Sequence, residues 1–315
     1  MNLFHGASGF IAIFLCLVLT ILLLRHWKVI EAEQSPIFSK LLTSFVLPVF
    51  IFSQVANLKV EYSYLFFGAV ILISELITGV ASWSTAKWVL RLDRPSTGAF
   101  ILGSTFGSSS QIGNAFLKVV FDNNAAISAM GLVTGQFGIG LPVNVVGPVV
   151  AKSFGDSENK NSLFNLVKSI FMNPPTIALI LGILWSRLDI PSDIFIVKIL
   201  FEGLNIISTS MTFLVAVIIG LSLKPIKMKG IWIVLILAAF FQLALQPFIT
   251  YGIFSLLNEQ NEHHQATLFL SAMPATPLAV VFCARYGANA QLASQIVIFT
   301  CILSLISIPI VSLFI

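Results

Sequence analysis

The sequence predicts an all-α membrane protein of ten transmembrane helices, in two inverted five-helix repeats whose fourth and ninth helices are broken. Three observations carry this. Apolar runs of about 20 residues recur along the chain. Two of them, residues 103–121 and 271–286, are interrupted by Gly, Ser or Pro in corresponding positions of the two halves. Lys and Arg, finally, concentrate in one set of alternate loops. The composition agrees: 57% of the 315 residues are hydrophobic and 10% charged, with mean hydropathy +0.98. That is too little charge to cover a soluble surface. A membrane β-barrel would show short alternating segments separated by turns, which this chain lacks.

The first span follows MNLFHGASGF, which has no Lys or Arg, so it is read as permanent and not as a cleaved signal. It stops at Arg25-His26-Trp27-Lys28. The second, residues 41–56, contains Pro48, which should kink or open the helix. The third, residues 62–89, carries Glu75 near its middle and ends among Trp83, Lys87, Trp88 and Arg91. The fourth is the broken stretch GSTFGSSSQIGNAFLKVVF. The fifth, residues 125–154, is loosened by several glycines together with Pro142 and Pro148. A polar linker at 155–169 separates a first repeat, residues 1–154, from a second, residues 170–315. Pro174-Pro175 opens the sixth span, because first-turn N–H groups are unpaired in any helix. The seventh and eighth, residues 194–223 and 230–257, precede the broken ninth, SAMPATPLAVVFCARY, and the tenth begins near Ala290.

Loops after odd-numbered spans hold 13 of the 17 Lys and Arg. This bias predicts both termini outside and the central linker in the cytoplasm. Five spans on each side of that linker give the halves opposite orientations. A faint internal match supports the repeat: residues 121–125 align with 286–290 at an offset of 165, setting Gly113 beside Pro277.

Backbone interrupted at membrane depth must be hydrogen-bonded by protein or water, so two matched breaks predict a binding cavity. Ser110 or Gln111 is the expected cap of the first second-half helix, and Thr276 followed by Pro277 that of the other. Opposed helix N-termini suit an anion, above all a carboxylate. The side chains nearby are neutral: Ser108, Ser109, Ser110, Gln111, Asn114 and Thr276. They either bind substrate or only satisfy the broken backbone. Gln136 and Asn144 either face the cavity or bond neighbouring helices.

Glu75 is the carboxylate near the centre of a span, where an ionised side chain costs about 2.5 to 3.5 kcal/mol or more. It is the candidate for coupling to a proton, with sodium as the alternative ion. His263-His264 is read as a solvated loop, and no metal cluster, phosphate loop or nucleophile motif is found, so no enzyme, cofactor or metal is expected. The net charge of +4 reflects loop sorting and implies no nucleic-acid partner. Cys16, Cys283 and Cys301 lack the spacing of a disulfide or metal framework.

Several segments resemble the auxin efflux carrier family, including its bacterial members. They are FVLPVFIFSQVA, GSSSQIGNAFLKVVF, NPPTIALILGILW, SAMPATPLAVVFCARYG and ASQIVIFTCILSLISIPIV, in that order over nearly the whole chain. The resemblance implies that the fourth and ninth helices cross at the substrate site, with Ser108 to Asn114 and Pro274 to Pro277 as the crossover. It also implies a scaffold of the first, second, sixth and seventh helices forming a homodimer interface, past which the others move as an elevator. Substrates would be organic anions: auxin-like acids in plants, and dicarboxylates such as malate or malonate in bacteria. Glu75 would match a carboxylate proposed to take part in coupling. The short linker resembles the bacterial members, implying a bacterial inner membrane. The family's asparagine before the crossing is serine here, around Ser108, and the proline after it is Ala115.

Overall fold

The computed structural model describes residues 3–56, 62–108, 113, 117, 120–121, 124–155, 174–188, 190, 194–223, 231–257 and 262–311. Among them the chain is helical throughout, apart from turns and one isolated β-bridge. The order begins with α1 (Leu3–His26), a short 3₁₀ turn, α2 (Ser35–Leu41) and α3 (Leu47–Ala56). There follow α4 (Tyr62–Ser84), α5 (Arg94–Thr105), α6 (Ala125–Gly135) and α7 (Leu141–Phe154). The second half contains α8 (Pro174–Arg187), α9 (Phe195–Ser222), α10 (Ile231–Phe240) and α11 (Gln246–Leu257). It closes with α12 (Glu262–Ser271), α13 (Leu278–Tyr286) and α14 (Ala290–Val311). Six of the described helical segments are long and apolar enough to cross a membrane. The ninth stretch is divided between α12 and α13, and of the fourth the structure describes α5 and the extended residues that follow it.

Three spans widen for one shared reason. Segments of π-helix at Leu42–Val46, Gln136–Gly140 and Phe241–Leu245 join α2 to α3, α6 to α7 and α10 to α11. In each, the residue before a proline donates its N–H five residues back: Leu47 to Leu42, Leu141 to Gln136 and Gln246 to Phe241. Pro48, Pro142 and Pro247 have no N–H, and their rings would strike the carbonyl four residues earlier. Opening the ladder by one residue relieves that clash without ending the helix. The kink expected at Pro48 therefore takes the form of a π-bulge.

Contacts sort the loops into two ends. At one end Arg25 donates to the Leu223 carbonyl and Ser35 bonds Ser222 at 3.0 Å. Arg94 reaches Ser153, and Asn289 donates its backbone N–H to Pro95. The loops after the first, third, seventh and ninth spans and the end of the fifth thus gather together. At the other end His263 stacks on Phe67 and Tyr64, and His264 lies edge-on to Phe254 at 4.5 Å. The histidine pair is therefore not a solvated loop. It opens α12, and His264 is buried against aromatic rings. Spans one, two, six and seven pack on one another through α1, α3, α8 and α9, with Phe52, Trp185 and Phe201 as an aromatic seam.

Candidate functional site

The two interruptions meet. α5 is buried from Ser96 to Thr105 and ends where Phe106 turns extended. In the second half α12 ends at Ser271, and α13 does not begin until Leu278. Between these helices Gly107 and Ala275 form an antiparallel bridge. The Ser108 N–H donates to the Pro274 carbonyl at 2.9 Å, and the Thr276 N–H donates to the Phe106 carbonyl at 2.8 Å. Each break thus satisfies backbone groups of the other, which apolar surroundings require.

Side chains from two further spans brace the bridge. Gln242 donates its amide to the Met273 carbonyl at 3.0 Å, and a Cβ built on Gly107 would lie 3.1 Å from that same nitrogen. Glycine at 107 is what admits the amide so closely. From α14, Thr300 accepts the Ala275 N–H at 3.2 Å while donating to the carbonyls of Ile296 and Val297. Gln242 and Thr300 are fully buried, and sequence reasoning missed both. The available signal was a polar residue inside an otherwise apolar span, in AAFFQLALQ and in IVIFTCILS.

The predicted residues divide into three groups. Ser108, Pro274, Thr276 and Pro277 lie at or beside the bridge, with Ser108 and Thr276 buried. Gly113 joins them by donating its N–H to the Ser108 carbonyl at 3.0 Å, and a Cβ there would press on Leu270 at 2.7 Å. Gln136 is buried in the π-segment of the fifth span, where its amide folds over Gly140. Ser109, Ser110, Gln111 and Asn114 lie outside the described residues.

The start of α13 differs from expectation by one residue. Pro277, not Thr276, occupies the cap position, and Thr276 Oγ1 accepts from the Leu278 N–H at 3.4 Å. Ala279 donates to the Thr276 carbonyl and Val280 to that of Pro277. First-turn donors are therefore met locally, and the half-helix offers a ligand its dipole more than free N–H groups.

Glu75 reaches the same region from α4. It is 1% exposed, and neither carboxylate oxygen has a hydrogen-bond partner. It lines a cavity of about 350 Å³ together with Gly79, Trp83, Thr105, Phe106 and Pro142. The carboxylate is thereby placed beside the last residues of α5, immediately before the bridge. Among the described residues no group of three or more His, Cys, Asp or Glu is placed to hold a metal.

The chain is similar in sequence to known membrane transport proteins. An uncharacterized transporter of Methanocaldococcus jannaschii is 23% identical over 302 residues, covering 95% of each chain. Another uncharacterized transporter, from Methanothermobacter thermautotrophicus, is 22% identical over 312 residues, covering 98% of each. The family model described as membrane transport protein matches residues 8–147 and 144–312. The chain belongs to that family of membrane transporters, the auxin efflux carrier family that its motifs resemble, and is a multi-pass integral membrane protein and not an enzyme.

Proposed function

We propose that the protein is a secondary carrier of small organic anions, carboxylates such as malate, malonate or auxin-like acids, working by elevator-type alternating access. The observation that carries this reading is the Gly107–Ala275 bridge, where two interrupted spans join inside the protein. Interrupted helices at the junction of repeats are where carriers bind their cargo. Neutral groups there, Ser108 and Thr276 among them, hold an anion with dipoles and hydrogen bonds. That permits release, which a buried Lys or Arg would slow.

In this reading ten helices form two inverted repeats, 1–154 and 170–315, and the fourth and ninth cross at the bridge. Both termini lie outside, and residues 155–169 lie in the cytoplasm of a bacterial inner membrane. The packed group of first, second, sixth and seventh spans is the static scaffold and homodimer face. Glu75 couples transport to an ion.

Counterflow tests the proposal. Liposomes holding the purified protein and preloaded with unlabelled mono- or dicarboxylates should accumulate the labelled acid transiently. Ser108→Ala and Thr276→Val should each weaken the response to the best substrate. A protein whose melting temperature rises with such an acid but which gives no counterflow would be a sensor and not a carrier.

A further inference from the structure

A second buried polar constellation lies between α4 and the eighth span and reaches the bridge at Gln242. Ser74 bonds Thr250 at 2.9 Å, and Phe67 and Val70 cluster with Phe254. These pairings run in opposite directions along the two helices, which fixes an antiparallel register. One turn further along each helix the register brings Thr78 level with Gln246, and beyond it lie Ser82 on α4 and, across the π-bulge of Phe241–Leu245, Gln242. All of these polar side chains are fully buried.

The rungs differ in how they are satisfied. Ser74 and Thr250 bond each other, Ser82 receives a bond from Ser104, and Gln242 spends its amide nitrogen on Met273. In the middle, Thr78 Oγ1 and both amide atoms of Gln246 have no partner, and neither does Gln242 Oε1. Glu75, three residues before Thr78, adds two more unpartnered oxygens. A second line of contact ties it in: Thr105 and Phe106 line the Glu75 cavity, while the next residue, Gly107, rests against Gln242.

The unpartnered atoms are thus mostly oxygens, including a carboxylate, and no Lys or Arg occurs in Tyr62–Ser84 or Ile231–Leu257. Buried polar groups without partners cost about 1 to 3 kcal/mol each, so a set of them calls for an occupant. Water supplies donors but no charge. A small cation satisfies oxygen ligands and neutralises the carboxylate at once. The bulge at Phe241–Leu245 widens the helix between Gln242 and Gln246, where such an ion would sit.

We propose that the seam between α4 and the eighth span binds one sodium ion, with oxygens of Glu75, Thr78, Gln242 and Gln246 as its ligands. This deepens the coupling role of Glu75 in the transport reading, and it is independent of which acid is carried.

The test uses the purified full-length protein without any organic acid, so its outcome is separate from that of counterflow. Thermal unfolding is followed in sodium chloride and in choline chloride at equal ionic strength. The melting temperature should rise saturably with sodium, as it does for any ligand of the folded state alone. Thr78→Val and Gln246→Leu should flatten the rise, and Thr78→Ser should keep it. Should Gln246→Leu fail to fold, the near-isosteric Thr78→Val and the Thr78→Ser control decide. Equal melting in the two salts for the wild type would overturn the proposal in favour of a protonated Glu75 with water in the seam. A full sodium response in Thr78→Val would overturn it in favour of an ion bound elsewhere.

Discussion

Gly107 and Ala275, far apart in the chain, face each other across the bridge that joins the two broken spans. The contact is tight, because a Cβ on Gly107 would meet the Gln242 amide at 3.1 Å and the Met273 carbonyl at 3.4 Å. Gly107→Ala should be tolerated with a modest loss of stability, since the amide ends a flexible side chain. Gly107→Val must expel Gln242 from Met273, and counterflow should fall to background. Gly252 has open space around it, so Gly252→Ala is the control. It should be neutral or stabilising by up to about 1 kcal/mol, from helix propensity alone. Melting curves and uptake measured together separate these outcomes.

Thr300 tests the bridge from its other side. Its hydroxyl is the acceptor for the buried Ala275 N–H. Thr300→Val keeps the shape and leaves that donor unpaired, which should cost about 1 to 3 kcal/mol. Thr300→Ser restores the oxygen and should recover most of the loss. Equal stability of the two variants in thermal unfolding would show that the hydroxyl contributes nothing to the bridge.

The helices and the two interruptions were legible because they depend on local chemistry. Apolar length marks a span, and Pro274 and Pro277 cannot continue a helix. The Pro-linked π-bulges were half legible: Pro48 announced a disturbance but not its form. The bracing of the bridge was not legible, since Gln242 and Thr300 act across spans remote in sequence and look alone like stray polar residues. His264 misled for the opposite reason. A histidine pair without further Cys or carboxylate ligands suggested a solvated loop, yet Phe254 packs on His264 and Phe67 on His263, both from other spans. The one-residue shift at Thr276 arose because a hydroxyl can serve the next helix without occupying its cap.

Asn124 and Asn289 offer a test of the internal repeat. They are separated by the same 165 residues that relate the faint sequence match. Each caps the helix that follows: Asn124 Oδ1 accepts from Ala126 and Ile127, and Asn289 Oδ1 accepts from Leu292. Replacing either by alanine should cost about 1 kcal/mol. Asn289→Ala should cost more than Asn124→Ala, because the Asn289 amide also donates to Ser96 Oγ, a bond that alanine cannot make. Changes in melting temperature for the two single variants, compared at equal protein and detergent, read the difference directly.

Substitutions at Glu75 test whether binding and energy coupling are separate. Its carboxylate is buried beside Thr105 and Phe106, one residue short of the bridge, but it makes no hydrogen bond to the bridge itself. Glu75→Gln preserves shape and hydrogen-bonding capacity while removing the charge that an ion must neutralise. Substrate binding and counterflow, which need no driving ion, should therefore survive in this variant. Accumulation against a gradient should be lost whether sodium or a proton gradient is imposed. Glu75→Asp keeps the charge but withdraws it by one methylene, and it should retain ion-driven uptake at a reduced rate. Gradient-driven accumulation by Glu75→Gln at the wild-type level would remove the carboxylate from coupling. Loss of counterflow in a well-folded Glu75→Gln protein would place it in substrate binding instead, because counterflow requires only that the loaded carrier cross and release its cargo.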